Sequence, residues 1–183
     1  RRVPMAGGVT SAPPADATAF RRLMGRWPTG VSVVTSRDGE RDFGLTVNAF
    51  LSVSIAPPTV LISLGHEADS TAVVARTGRF AVNLLAAEQR SHSERFARIA
   101  PPETKFQGVA IHRTSSGLAA LDGAVAVFDA KVAKSVEVGD HTLFLGTVER
   151  METGPETAPL LFVRSQYAES AGPDLVRLPK PRA

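Results

Sequence analysis

Short runs of apolar residues dominate the chain from residue 31 onward, and most of them end at turn-forming residues. β-Branched residues fill positions 31–36 and lead into Asp38-Gly39, a pair typical of a hairpin turn. Positions 60–64 form a continuous apolar run, which is typical of a strand covered on both faces. Further runs of this kind predict strands at 43–50, 51–55, 80–85, 124–133, 142–148 and 160–163.

Helical signals interrupt these strands. Apolar residues at 20, 23, 24 and 27 recur at helical spacing, with Asp16 or Thr18 as the N-cap and Pro28 as the end. A second helix is predicted from Asp69 to position 75, ended by Gly78, and a polar helix at 87–98. Residues 99–107, with their two prolines, predict a surface loop. Many short strands without regular βαβ alternation predict a mainly β fold, a closed antiparallel barrel of Greek-key type.

The length of 183 residues is that of one domain. Gly, Pro, Ala and Ser dominate residues 1–15, so a disordered N-terminal tail is predicted there. The folded domain is predicted at 16–170, and an extended C-terminal tail at 171–183.

Charge and cysteine content narrow the function classes. Lys and Arg total 21 and Asp and Glu total 18, so the net charge is +3, too small and too scattered to predict a nucleic-acid partner. The chain has no cysteine, which excludes disulfides and thiolate chemistry and assigns any redox chemistry to a bound cofactor. No apolar run approaches the roughly 20 residues of a membrane helix, and no secretory signal is visible, so the sequence predicts no membrane partner and a cytoplasmic location.

Known catalytic motifs do not occur, and the four histidines lack the spacing of a helical metal pair, so no metal site is predicted. What stands out is that Thr46, Asn48, Ser52 and Ser54 share one parity and would project from one face of an extended strand. Such neutral donors and acceptors suit the edge of a flat heteroaromatic ring. The alternative is an ordinary amphipathic strand with a solvated polar face.

Four motifs in chain order carry a family resemblance. They are Gly44–Ser54 with Pro57-Pro58, the strand 80–85, Gly139-Asp140-His141 with the strand after it, and Pro159-Leu160-Leu161-Phe162 before Tyr167. Together they resemble the flavin reductase-like family, the small reductase components of two-component flavin-dependent monooxygenases. The resemblance implies an FMN-binding split barrel, a homodimer, that uses NADH or NADPH to reduce FMN or FAD for a separate monooxygenase.

The same resemblance assigns cofactor-binding residues. One group would lie along the flavin ring: Thr46, Val47, Asn48, Ala49, Phe50 and Ser52. A second group belongs to the stretch that binds phosphate in the family: Ser63, Leu64, Gly65, Ser70 and Thr71. A helix N-terminus near Ser70 and Thr71 would supply N–H groups to phosphate, although the alternative is that these hydroxyls only cap the helix. Glu67 and Asp69 would repel a phosphate, which a cation such as Arg76 or Lys105 would offset.

The resemblance also places His141 near the flavin and the nicotinamide, where it would orient the dihydropyridine or donate to the reduced ring. The alternative is a turn histidine bonded to backbone. The resulting hypothesis is an NAD(P)H:flavin oxidoreductase with His141 as its catalytic residue. Two alternatives stay open: a carrier or sensor of flavin or haem without nicotinamide turnover, and a reductase of another flavin-like or corrinoid acceptor.

Overall fold

The computed structural model describes residues 16–169, so the predicted tails at 1–15 and 171–183 lie outside the described residues. Its helices are α1 (Ala17–Met24), α2 (Asp69–Thr77), α3 (Arg90–Phe96) and α4 (Pro102–Phe106), with a 3₁₀ turn at Ala87–Gln89 before α3. Its strands are β1 (Thr29–Gly30), β2 (Ser32–Asp38), β3 (Arg41–Val47), β4 (Phe50–Ile55), β5 (Pro58–Gly65), β6 (Arg79–Leu84), β7 (Ile111–Arg113), β8 (Ala119–Leu121), β9 (Ala126–Val138), β10 (His141–Thr153), β11 (Leu160–Val163) and β12 (Gln166–Glu169).

Seven strands form the main sheet, in the order β3-β2-β6-β9-β10-β5-β4, and all neighbouring pairs are antiparallel. The edge strands β3 and β4 are consecutive in the chain, and only Asn48 and Ala49 separate them. The Cα atoms of Val47 and Phe50 therefore lie at most about 11 Å apart. The two edges of the sheet must meet there, so the sheet curls round on itself. We call the Asn48-Ala49 connection the seam.

The core fills the inside of the curled sheet. Ile62, Leu64, Phe80 and Phe144 are fully buried in it. A Cβ on Gly146 would lie 2.5 Å from the ring of Phe80, so only glycine lets this ring pack against β10. A second cluster around Phe96 and Leu121 joins α3 and β8 to the other side of the sheet. The predicted mainly β architecture is confirmed.

Several local predictions need correction. The predicted strand 43–50 is interrupted at the seam, because the chain there passes from one sheet edge to the other. The predicted loop 99–107 contains α4, which has a proline in its first turn, a position where the missing N–H costs nothing. Strands β7, β8 and β12 were not predicted; they have only three or four residues and little periodicity. Asp16 is the N-cap of α1, since its carboxylate accepts the Ala19 N–H at 2.7 Å.

Candidate functional site

The seam presents backbone donors that the protein does not use. Within residues 16–169, the N–H groups of Asn48 and Ala49 donate to no protein acceptor. The Ala49 carbonyl accepts the N–H of Ser63 at 3.2 Å, which fixes the seam against β5. The Asn48 side chain is exposed and makes no hydrogen bond within the described residues. Two N–H groups and one carboxamide are therefore available to a ligand at the point where the sheet edges meet.

Cavities lie on both sides of the seam. One, of about 660 Å³, is lined by Asn48, Ala49 and Phe50 together with the apolar side chains of Trp27 and Leu84. The other, of about 220 Å³, is lined by residues 46–48 and by α3 and the last hairpin. An apolar wall with a few convergent polar groups is the composition of a site for a planar organic ligand.

A third cavity, of about 380 Å³, lies at the opposite end of β3, beside the start of α2. Ala68 occupies the N-cap position and supplies no side-chain bond, so the helix begins uncapped. The N–H groups of Asp69 and Ser70 donate to no acceptor within the described residues, and both residues line this cavity. An uncapped helix N-terminus with free N–H groups and a favourable dipole attracts an anion.

The predicted capping role of Ser70 and Thr71 is wrong. Thr71 lies in the first turn, inside the helix, and its hydroxyl donates to the Gly65 carbonyl at 2.6 Å. This bond joins the end of β5 to the start of α2. Ser70 is buried and lines the third cavity.

Lys105 of α4 supplies the positive charge at this cavity. Its ammonium group donates to the carbonyls of Gly44 and Phe96 at 3.2 and 3.3 Å, which holds it between β3 and α3. Burial lowers the pKa of Lys105, while the nearby Asp69 carboxylate acts in the opposite direction. Arg76, the other cation considered from the sequence, pairs with Asp38 instead.

Gly44 allows this arrangement. A Cβ at this position would lie 2.5 Å from the Phe96 ring and 3.2 Å from the Phe106 ring. Only glycine therefore lets α3 and α4 approach β3 closely enough for Lys105 to reach the Gly44 carbonyl.

His141 is the first residue of β10 and lies directly opposite Gly65 of β5. Its Nδ1 lies 2.7 Å from the Asp140 carboxylate, and this hydrogen bond lowers the pKa of Asp140. Because the carboxylate accepts, Nδ1 carries the proton, and Nε2 stays available beside the Gly65 backbone. The imidazole is half exposed, so a ligand in solution can reach it.

The structure separates other predicted site residues from these groups. Thr46 and Ser52 belong to different edge strands, so the predicted single polar face of 46, 48, 52 and 54 is wrong. Thr46 donates its hydroxyl to the Ser93 carbonyl at 2.7 Å, and Ser52 is exposed on β4 and lines none of the three cavities. Val47, Leu64 and Phe50 direct their side chains into the core, so only their backbone could contact a ligand. Ser63 is half buried on β5, between the seam and His141.

Tyr167 of β12 is a cavity residue that sequence reasoning did not assign to the site. Its hydroxyl lies 2.9 Å from the Ser93 hydroxyl, and its ring packs edge-on against Phe162 at 5.4 Å between centroids. Both aromatic residues line the smaller cavity at the seam. Tyr167 was visible only as a motif residue, because β12 was not predicted.

Two classes of site have no basis in the described part of the chain. Residues 16–169 contain no group of three or more side chains that could hold a metal ion. None of the helices among these residues is long and apolar enough to cross a membrane.

A curled antiparallel sheet with a donor-rich seam has the features of a small β-barrel protein that accepts a planar ligand. Comparison with known proteins specifies the class: the family model described as "Flavin reductase like domain" matches residues 24–171. The chain belongs to the flavin reductase-like family and is an oxidoreductase. The family predicted from the four motifs is confirmed.

Individual relatives agree with this assignment. The chain is 37% identical to an actinorhodin polyketide dimerase of Streptomyces coelicolor, over 84% of this chain and 86% of that protein. It is 36% identical to an NADH-dependent flavin reductase of Pseudomonas fluorescens, over 83% and 89% of the two chains. The solved structure of an NADH:FAD oxidoreductase of Streptomyces globisporus superposes with a TM-score of 0.83 at 34% identity, covering 90% of this chain and 99% of that chain.

Proposed function

We propose that this protein transfers a hydride from NADH or NADPH to FMN or FAD and delivers the reduced flavin to a separate monooxygenase. The observation that carries the proposal is the pairing of two sets of unused donors at the two ends of β3. The seam offers the N–H groups of Asn48 and Ala49, and the other end offers the N-terminus of α2 with Lys105. Four residue steps from Gly44 to Asn48 span about 13 Å, the scale of an extended flavin mononucleotide.

The residues fit a flavin in chemical terms. The seam would hold the polar edge of the ring through backbone N–H groups, since ring carbonyls and nitrogens are acceptors. Lys105 and the free N–H groups of Asp69 and Ser70 would hold the terminal phosphate. The carboxylates of Glu67 and Asp69 would oppose phosphate binding, and the charge of Lys105 offsets part of that repulsion.

Bound flavin supplies the redox chemistry, because its ring accepts the hydride that the nicotinamide gives up. The protein contributes positioning and electrostatics. Fixed N–H donors at the seam would stabilise negative charge on the polar edge of the ring without any reorganisation. His141, with Asp140 holding its Nδ1 proton, would place Nε2 where a nicotinamide can approach beside Gly65.

A homodimer is part of the proposal. The edge strand β4 exposes Leu51, Val53 and Ile55, the last of them 89% exposed. Helix α1 buries none of its residues, although Phe20, Leu23 and Met24 form an apolar stripe along it. Contiguous exposed apolar surface of this kind indicates a protein interface, and a second copy would cover both elements. A cytoplasmic location stays a prediction.

The test follows the loss of reduced-nicotinamide absorbance when the purified protein is mixed with NADH or NADPH and with FMN or FAD. We expect oxidation well above the rate without protein for at least one pair. His141→Gln is expected to raise KM for the nicotinamide or lower kcat, with flavin affinity unchanged. If flavin binds but neither nicotinamide is oxidised, the protein is a carrier, and the oxidoreductase mechanism proposed here is wrong.

A further inference from the structure

A positively charged cavity of about 420 Å³ lies where the end of α1 meets the β11–β12 turn. It is formed without a carboxylate and without an apolar side chain: its lining residues are Arg21, Arg22, Gly25, Arg26, Arg164 and Ser165. All four arginines are exposed, and within residues 16–169 none of them pairs with an acidic side chain. We call this the arginine cavity.

Helix stability accounts for only half of this charge. Arg21 and Arg22 lie in the last turn of α1, where cations offset the partial negative charge of the helix end. Arg26 lies beyond the helix, and Arg164 comes from a different element. Gathering four like charges around one depression is unfavourable unless an anion neutralises them.

The turn that contributes Arg164 is itself conformationally costly. Arg164 and Ser165 have φ values of 51° and 60°, and they are the non-glycine residues with positive φ in the described chain. A two-residue hairpin turn of this kind favours Asn-Gly, so the side chains present here are not the ones that the turn alone would select. The N–H of Arg164 donates to the Gly25 carbonyl at 2.6 Å, which holds its backbone against the end of α1. Strain of this sort persists at binding sites, where the side chain is needed in that place.

We propose that the arginine cavity binds a diphosphate group. Guanidinium groups present planar forks of N–H donors that match phosphate oxygens two at a time. Four of them on two sides of one cavity exceed what a single phosphate needs, and they suit two linked phosphates. The cavity is formed by α1 and the β11–β12 turn, whereas the Lys105 cavity is formed by β3, α2 and α4. The proposal therefore goes beyond the flavin site and does not depend on it.

The test is calorimetric titration of the full chain with inorganic pyrophosphate, orthophosphate and ADP, both without flavin and with saturating FMN. We expect saturable pyrophosphate binding under both conditions, at least about tenfold tighter than orthophosphate, weakening as salt is added. The double variant Arg26→Gln with Arg164→Gln is expected to lose about tenfold or more in pyrophosphate affinity.

The matched control is Arg150→Gln, which removes an exposed guanidinium that donates only to the neighbouring Glu149 carbonyl. We expect its pyrophosphate affinity to stay within about twofold of that of the wild type. Thermal unfolding of each variant establishes that it is folded, and Arg26→Gln alone serves if the turn variant is unstable. Absence of saturable binding to the wild type, or an equal loss in Arg150→Gln, overturns the proposal.

Steady-state kinetics of the same variants separates two sources of the diphosphate. If the group belongs to the dinucleotide reductant, the double variant raises KM for NADH and leaves KM for FMN unchanged. If it belongs to a separate nucleotide, the double variant loses ADP and pyrophosphate binding while both KM values stay unchanged. Either outcome supports a diphosphate site, because the calorimetric loss is common to both.

Discussion

Replacing Lys105 by Gln tests the phosphate end of the proposed flavin site directly. Lys105 is half buried, and its ammonium group is held by the carbonyls of Gly44 and Phe96 at the edge of the third cavity. A hydrogen bond from a charged donor contributes about 1.5–3 kcal/mol, and partial exposure places this one near the lower limit. Since about 1.4 kcal/mol corresponds to a factor of ten, we expect Lys105→Gln to weaken FMN binding roughly tenfold.

Riboflavin gives the comparison that isolates the phosphate, because it has the same ring and no phosphate. We measure the affinity of wild type and variant for both ligands by quenching of flavin fluorescence, well below the unfolding temperature. Riboflavin affinity is expected to change by less than about twofold, since no other part of the ring site contains Lys105. Lys134→Gln, which removes an exposed lysine of β9, is the matched control. Equal losses for FMN and riboflavin, or no loss for FMN, would refute the assignment of Lys105 to phosphate.

Three further predictions concern stability and assembly. Hydrogen bonds to two carboxylates raise the pKa of His112, so its contribution to stability is complete below about pH 6.5 and is lost as pH rises through the folded value; urea unfolding at about pH 6 and pH 9 is expected to show a drop of less than about 1 kcal/mol that His112→Gln removes, and an unchanged drop would contradict this. Gly44→Ala is expected to lower the free energy of unfolding by about 1–3 kcal/mol through overpacking, whereas Gly30→Ala, with no atom within 4 Å of its Cβ, is expected to leave it nearly unchanged; similar losses in both would contradict the packing argument. Ile55→Lys is expected to convert a dimer to a monomer in analytical ultracentrifugation, while Ile99→Lys, on an equally exposed loop, leaves the dimer intact; a dimer that survives Ile55→Lys rules out β4 as the interface.

Periodicity predicts the strands of this fold better than their arrangement. The continuous apolar run at 60–64 and the Asp38-Gly39 turn lie where the structure has β5 and the β2–β3 hairpin, because burial on both faces and turn chemistry are local properties. The break at Asn48-Ala49 is not local. It exists because the sheet curls until its edges meet, which no window of sequence contains.

The candidate site shows the same division. Its backbone donors at Asn48 and Ser70 lie within the predicted segments, since the family motifs mark those segments. Lys105 was considered only as a distant counter-charge, because α4 was predicted as a loop and its contact with Gly44 joins residues 61 positions apart. Tyr167 lay beyond periodicity altogether, in a four-residue strand.

Two residues at the seam are all that join the margins of the seven-stranded sheet along the chain between β3 and β4. A guest that bonds to those residues also ties the margins together, so its arrival and the tightening of the shell are one event. In the absence of a guest, amide exchange is expected to begin at this place and to slow there most when the guest is added. A protein that must let its cargo go again gains from such a hinge, because loosening the margins and releasing the cargo draw on the same few contacts.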